Sequence, residues 1–248
     1  MKNVLMKHRS IRKFRSTPIP DELLTELLEA AVRASTCGNM QLDSLVVTRD
    51  AALKKELAPC HFNQPMVTQA PCLVTVCADI NRFSMWCRQR EADPAYDNFA
   101  WFLNAATDAL LAAQNFCIAA EANDLGICYL GTTLYTAGDI ARILALPKGV
   151  VPVTTVVVGY PAESPELTDR LPLNGVVHYE KYTDYTAAEI DELWAEREES
   201  ELTHRLLEEN GLPNLAQIFT RRRYIRQDNV AISKSYLELL RTQGFFNQ

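Results

Sequence analysis

The sequence predicts a chain of mixed class, α/β or α+β, with a central sheet covered by helices. Three observations predict it. VPVTTVVV at Val151–Val158 and CLVTVCA at Cys72–Ala78 are apolar, largely β-branched runs of the length of a buried strand. Segments of helical period alternate with such runs along the chain. The longest of them, Asn98 to Asn123, is apolar around most of its circumference, as a central helix or a subunit-interface helix is.

Taken in order, Pro18, Pro20 and Asp21 open a helix over DELLTELLEAAVRAS. Leu23, Leu24, Leu27, Leu28, Ala31 and Val32 share one of its faces. Thr36–Gln41 is polar and contains Gly38, so it reads as a loop. Ser44–Thr48 reads as a strand, Ala51–Leu57 as a short helix, and Asn81–Asp97 as loop with a short helix. In the long helix the polar Asn104, Thr107, Asp108, Gln114, Asn115 and Glu121 keep to one side. Ile127–Leu130 is a short strand, and Gly131-Thr132-Thr133 turns into a helix near Asp139–Leu144. Thr186 and Glu189 make a capping box for a charged, solvated helix through about Asn210. A last helix over Asn229–Thr242 closes at Gly244. No internal repeat, low-complexity tract or linker is visible.

The chain has 248 residues, is 48% hydrophobic and 23% charged, and carries a formal net charge of -6. That is ordinary globular composition, long enough for a sizeable core. The acidic balance argues against nucleic acid as a partner. Lys2, Lys7 and Arg9 interrupt the early apolar residues, so no secretory leader is expected. Phe99–Ala122 carries Asp108 and Glu121 and makes a poor membrane span. Seven cysteines without a CxxC pattern, several in apolar runs, suit a reducing cytoplasm and no zinc site.

The segment His8-Arg9-Ser10-Ile11-Arg12-Lys13-Phe14 concentrates chemistry. Arginines offer planar paired donors suited to phosphate oxygens, and Ser10 adds a hydroxyl. Ile11 and Phe14 can anchor the segment to a core. Two readings stand: an anion site, or a solvated charged face, since five of the nine residues from Lys7 to Arg15 are cationic. Thr36–Gln41 can line the edge of a flat polar ligand or simply connect two elements. Tyr129-Leu130-Gly131-Thr132 can present backbone N–H groups at a strand end. His61 and His204 read as surface residues. Arg221-Arg222-Arg223 with Arg226 reads first as a solvated helix end. GxGxxG, GxxxxGK[ST] and GxSxG are all lacking, so neither a Rossmann site, a P-loop nor a nucleophile elbow is indicated.

In this order the segments HRSIRKF, ASTCGNMQ and GYPAESPELTDRLPLNGVVHYEKY resemble the FMN-dependent nitroreductases. The resemblance covers nearly the whole chain and is strongest to the oxygen-insensitive NAD(P)H nitroreductases and flavin reductases. It implies an α+β fold with a mostly antiparallel central sheet, flanked by helices and including a long interface helix. It implies one domain over residues 1–248, with a C-terminal extension from about 180 to 248 that wraps a partner subunit. The implied assembly is a homodimer with two shared FMN sites.

Carried over by position, His8, Arg9, Ser10 and Arg12 match ligands of the FMN phosphate and ribityl chain. Arg170 matches a further phosphate ligand. Cys37 and Asn39 fall beside the flavin, Gln64 matches a ring ligand, and Tyr129, Leu130 and Gly131 match backbone contacts at the ring's other edge. Two positions depart from the pattern: Thr168 stands where a basic residue is usual, and Cys37 where a Ser is usual. The implied activity is two-electron, ping-pong transfer from NAD(P)H as co-substrate through FMN to a small-molecule acceptor: a nitroaromatic, quinone or flavin. The alternative is a flavin-binding or sensor protein without significant turnover.

Overall fold

The structure is a computed structural model that describes Lys2–Asn247. Four strands, β1 (Asp43–Thr48), β2 (Cys72–Asp79), β3 (Gly126–Leu130) and β4 (Val150–Gly159), form one sheet in the order β1-β2-β4-β3. Every neighbouring pair is antiparallel, with one register shift between Val76 and Cys77 in the β2–β4 pair. The expected α+β class is therefore the one observed.

Chain order sets the helices α1 (Lys2–Met6), α2 (Asp21–Val32), α3 (Ala51–Leu57), α4 (Pro65–Gln69), α5 (Asn81–Arg88), α6 (Phe99–Ala122) and α7 (Ala137–Ile143). After them come α8 (Ala187–Glu198), α9 (Glu201–Asn210), α10 (Leu215–Ile218) and α11 (Arg226–Thr242).

β2 is buried along its whole length because both faces of the sheet are covered. Alternation sorts its side chains. Cys72, Val74 and Val76 pack with Val156 and Val158 of β4 against α2 and α6. Leu73 and Val157 point the other way, toward Leu57, Met66, Val67, Leu130 and Ile140. A third cluster gathers Phe102, Val151, Leu240 and Phe245, so the end of the chain is built into the core.

By contacts the chain divides into two compact units, residues 1–166 with 232–248, and residues 167–231.

Local chemistry explains most boundaries. Asp50 caps α3 by accepting the Leu53 N–H at 2.7 Å, and Asn98 caps α6 through the Trp101 N–H. Pro65 sits in the first turn of α4. The capping box at Thr186 and Glu189 is present, but the helix it starts does not reach Asn210. Ser200 adopts an extended backbone and its hydroxyl takes the Thr203 N–H at 3.2 Å, starting α9 afresh. Among the described residues no helix is long and apolar enough to cross a membrane.

Candidate functional site

Residues 8–15 run as an extended segment against the end of the sheet. Ile11 N–H donates to the Ile127 carbonyl at 2.8 Å, and Arg15 N–H to the Tyr160 carbonyl at 2.8 Å. The Ala162 N–H donates to Lys13 at 2.9 Å. Ile11 and Phe14 are buried, whereas Arg12, Lys13 and Arg15 are exposed. The two apolar residues therefore anchor the segment, and the charges are carried outward. Close approach depends on Gly126: a Cβ there would lie 2.6 Å from Ile11 Cγ1.

The charges of this segment are partly engaged. His8 Nδ1 pairs with Glu121 Oε1 at 2.7 Å near the C-terminal end of α6. Arg9 reaches the Ser164 hydroxyl at 3.5 Å, and its buried Nε has no partner among the described residues. The backbone N–H groups of Arg12 and Lys13 both donate to Glu163 Oε1, at 2.6 and 3.0 Å. Among the described residues Lys7, Arg9, Arg12 and Lys13 enter no ion pair. A cavity of about 420 Å³ lies alongside, lined by Lys7, Arg9, Ile11, Gly126, Glu163 and Ser164 among others. Glu121 and Asp124 line it too, so two cations meet three carboxylates there; guanidinium groups without an ion partner offer planar paired donors of the kind phosphate oxygens accept.

The Thr36–Gln41 loop is held from two sides. Asp108 is only 2% exposed, although it lies on the polar side of α6. Its carboxylate accepts the Cys37 N–H at 2.9 Å and the Leu42 N–H at 3.1 Å. Arg82 bonds the carbonyls of Gln41 and Asp43 and the Ser44 hydroxyl. Between these ties Gly38, Asn39 and Gln41 all take positive φ. Cys37 is exposed. The Asp108 and Glu121 anchors are thirteen residues apart on one helix, about 20 Å at 1.5 Å per residue. Within one chain, α6 therefore keeps the Cys37 loop and His8 well apart.

The remaining site residues of the first unit stand on two adjoining turns. Gln64 is half-buried and precedes α4, following a tight turn over Ala58–His61. Leu130 ends β3 and Gly131 opens a helical turn over Gly131–Leu134. Gly131 is exposed, and among the described residues nothing lies within 4 Å of where a Cβ would stand. Tyr129 directs its hydroxyl to Gln114 Oε1 at 3.4 Å, and burial pushes its phenol well above the usual range. Its backbone, not its ring, is available at the strand end.

His61 overturns the surface reading. It is 0% exposed, its Nδ1 lies 2.9 Å from Thr132 Oγ1, and desolvation lowers its pKa from 6.5 to about 4. The Ala58–His61 turn folds inward over Leu57 and Met66, which the polar neighbours Asn63 and Gln64 conceal in the sequence.

Arg170 belongs to the second unit. Its Nη1 bonds the Thr168 hydroxyl at 2.7 Å and the Asp169 carbonyl at 2.9 Å, so the unusual Thr168 is one of its partners. Asp169 pairs with Arg197, which holds its carboxyl below the ordinary value. Arg221, Arg222 and Arg223 lie exposed on a short π-helical turn. His178 is satisfied, bonded to Thr183 N–H at 3.3 Å and to the Tyr185 hydroxyl at 3.2 Å.

Sequence reasoning missed Glu163, the role of Asp108 and the His61–Thr132 bond. A buried acid on a helix facing a Gly-containing loop was a usable signal for Asp108. Glu163 and Thr132 had none, because each acts through a partner distant in the chain.

Comparison with known proteins follows the same lines. A model of the Nitroreductase family matches residues 5–160. An FMN reductase (NADPH) of Bacillus subtilis is 33% identical over 180 residues, 72% of each chain. An oxygen-insensitive NADPH nitroreductase of Salmonella typhimurium is 33% identical over 179 residues, 72% of this chain and 73% of the other. Among solved structures, a Bacteroides fragilis protein whose oxidoreductase role is itself a proposal superposes with TM-score 0.97. It is 51% identical and covers 99% of this chain and 100% of its own. An NADPH:FMN oxidoreductase of Vibrio harveyi, solved with NAD+, gives TM-score 0.83 at 26% identity, covering 100% and 99%.

Proposed function

The chain belongs to the nitroreductase family, and from that premise we propose that it is an FMN-dependent oxidoreductase transferring two electrons from NAD(P)H to a nitroaromatic, quinone or flavin. FMN supplies the hydride and electron chemistry when bound. The chain's own residues bind, orient and polarise. One observation supports this most directly: an extended cationic segment is pinned to β3, and Lys7, Arg12 and Lys13 enter no ion pair among the described residues. That donor set fits a phosphomonoester.

In this reading His8, Arg9, Ser10 and Arg12 hold the phosphate end, with Arg170 as a further ligand. Gln64 and the backbone of Tyr129, Leu130 and Gly131 hold the two edges of the ring. Open space at Gly131 supports a close approach of the ring to the backbone. Backbone donors on such turns stabilise negative charge that builds up during reduction. Cys37 and Asn39 supply a third side, from a loop that Asp108 and Arg82 hold in shape.

The long spacing between that loop and His8 is met if two copies share each site. An apolar stripe on α6 supports such a homodimer: Phe99, Leu103, Leu110 and Leu111 are exposed, Leu103 by 50%. In the second unit Leu173, Val176, Tyr179 and Tyr182 are also exposed and suit an extension that wraps the partner. Seven free thiols suit a cytoplasmic setting. Ping-pong kinetics follow if NAD(P)H and acceptor use one exposed ring face in turn.

The decisive experiment is a visible spectrum of purified protein reconstituted with FMN, then anaerobic addition of NADPH or NADH and of a nitroaromatic. Bound yellow flavin that bleaches and recolours is expected. Protein that binds no FMN overturns the reading, and bound flavin without turnover leaves the binding-protein alternative.

A further inference from the structure

His61 lies between the two turns that carry the proposed ring contacts. The Gln64 side is strained: Phe62 and Asn63 take φ of 55° and 53°, two consecutive non-glycine residues in the left-handed region. Each such residue costs on the order of 1 kcal/mol, and the conformation persists only where its surroundings over-determine it. Three ties join this turn to the one after β3. His61 Nδ1 meets Thr132 Oγ1 at 2.9 Å, Thr136 Oγ1 donates to the Cys60 carbonyl at 2.7 Å, and the Phe62 and Tyr135 rings pack edge to face at 5.7 Å. Among the described residues the buried His61 Nε2 has no partner, so the polar contact that anchors the imidazole there is the bond to Thr132.

We propose that His61 is a positioning residue: through Thr132 it holds the Phe62–Gln64 turn against the Gly131 turn and so sets the gap into which the flavin ring fits. The inference rests on the FMN reading above. His61 itself touches neither cofactor nor substrate. It is suited to the task because it is rigid and wholly buried. A ring-binding gap misplaced by about 1 Å costs on the order of a hundredfold in rate.

The test uses the full-length protein and four variants. His61→Leu and Thr132→Val remove the bond while keeping much of the volume. His61→Asn keeps a polar atom near the Nδ1 position, and Thr132→Ser keeps the hydroxyl. Amide exchange on cofactor-free protein reads the two turns directly. It is expected to quicken at residues 62–64 and 131–134 in both His61→Leu and Thr132→Val. With FMN, those variants are expected to bind at least tenfold more weakly, shift the flavin absorption band and lose kcat more than they raise KM. His61→Asn and Thr132→Ser are expected to recover most of each effect.

Unchanged exchange, FMN affinity and flavin spectrum in the two disrupting variants overturn the proposal and leave the FMN reading intact. So does faster exchange with unaltered affinity and spectrum, since the bond is then structural only. Wild-type protein that binds no FMN sinks both. If His61→Leu does not fold, Thr132→Val decides.

Discussion

Asp108 Oδ1 accepts a hydrogen bond from the Cys37 N–H at 2.9 Å, across 71 residues of sequence, while Oδ2 of the same carboxylate takes the Leu42 N–H at 3.1 Å. One buried acid on α6 therefore closes both ends of the loop expected beside the ring. Replacing Asp108 with Ala leaves two backbone donors unpaired. Bonds to a charged acceptor of this kind are worth roughly 1.5–3 kcal/mol. At about 2–4 °C per kcal/mol for a chain of this size, Tm should fall by several degrees. The exposed Cys37 thiol should also change its rate of reaction with a thiol reagent. Asp108→Asn should show a smaller loss. Unchanged Tm and unchanged Cys37 reactivity in Asp108→Ala would mean that the loop is held by Arg82 alone.

Arg12 should matter to ligand and not to fold. Its side chain is exposed and makes no hydrogen bond or ion pair among the described residues, so Arg12→Ala should alter stability by no more than about 0.5 kcal/mol. A lost charge-assisted bond to phosphate, roughly 1.5–3 kcal/mol, raises the FMN Kd about tenfold to a hundredfold. Riboflavin lacks the phosphate, so its weaker binding should be the same in both proteins. Equal FMN affinity in Arg12→Ala would remove this residue from the phosphate site.

Gly126 and Ile11 form a steric pair. A Cβ at residue 126 would stand 2.6 Å from Ile11 Cγ1 and 2.8 Å from Ile11 Cβ. Gly126→Ala should therefore push the N-terminal segment off β3 and destabilise by about 1–3 kcal/mol, as overpacking does. Because the same segment carries Arg9 and Arg12, FMN affinity should drop with it. The double variant Gly126→Ala/Ile11→Ala trades the clash for a lost buried side chain, and a double-mutant cycle should show positive coupling. Strict additivity of the two substitutions would show that the segment is not seated by this contact.

The strands and helices of the first unit were legible because their signals are local. VPVTTVVV has no alternative to a buried strand, and Asn98 declares the start of α6 through its own cap. The α8–α9 break was equally local but turned on which competing signal won: helical period ran through Glu199, and the Ser200 hydroxyl captured Thr203. Of the site, HRSIRKF was readable because its charges and its two anchors lie within seven residues. The ties that give the site its shape were not. Glu163 reaches back 151 residues to Arg12, and His61 reaches 71 residues forward to Thr132, so neither leaves a pattern in any sequence window.

His61 should also mark the pH dependence of stability. Its pKa is about 4 in the folded protein, lowered by desolvation from 6.5. Between those values the unfolded chain binds a proton that the folded chain does not. The contribution of a neutral His61 is thus fully present above about pH 6.5 and is lost progressively as pH falls toward 4. The slope cannot exceed about 1.4 kcal/mol per pH unit, so the loss approaches roughly 3 kcal/mol near pH 4. Carboxylates titrate in the same window, which makes comparison with a variant necessary. Urea midpoints of wild type and His61→Leu, measured from pH 7.5 to 4.5, should converge as pH falls, because only the wild type must bury a group that prefers its proton. Parallel curves would show that His61 titrates alike in both states, and its imidazole would then be in contact with water.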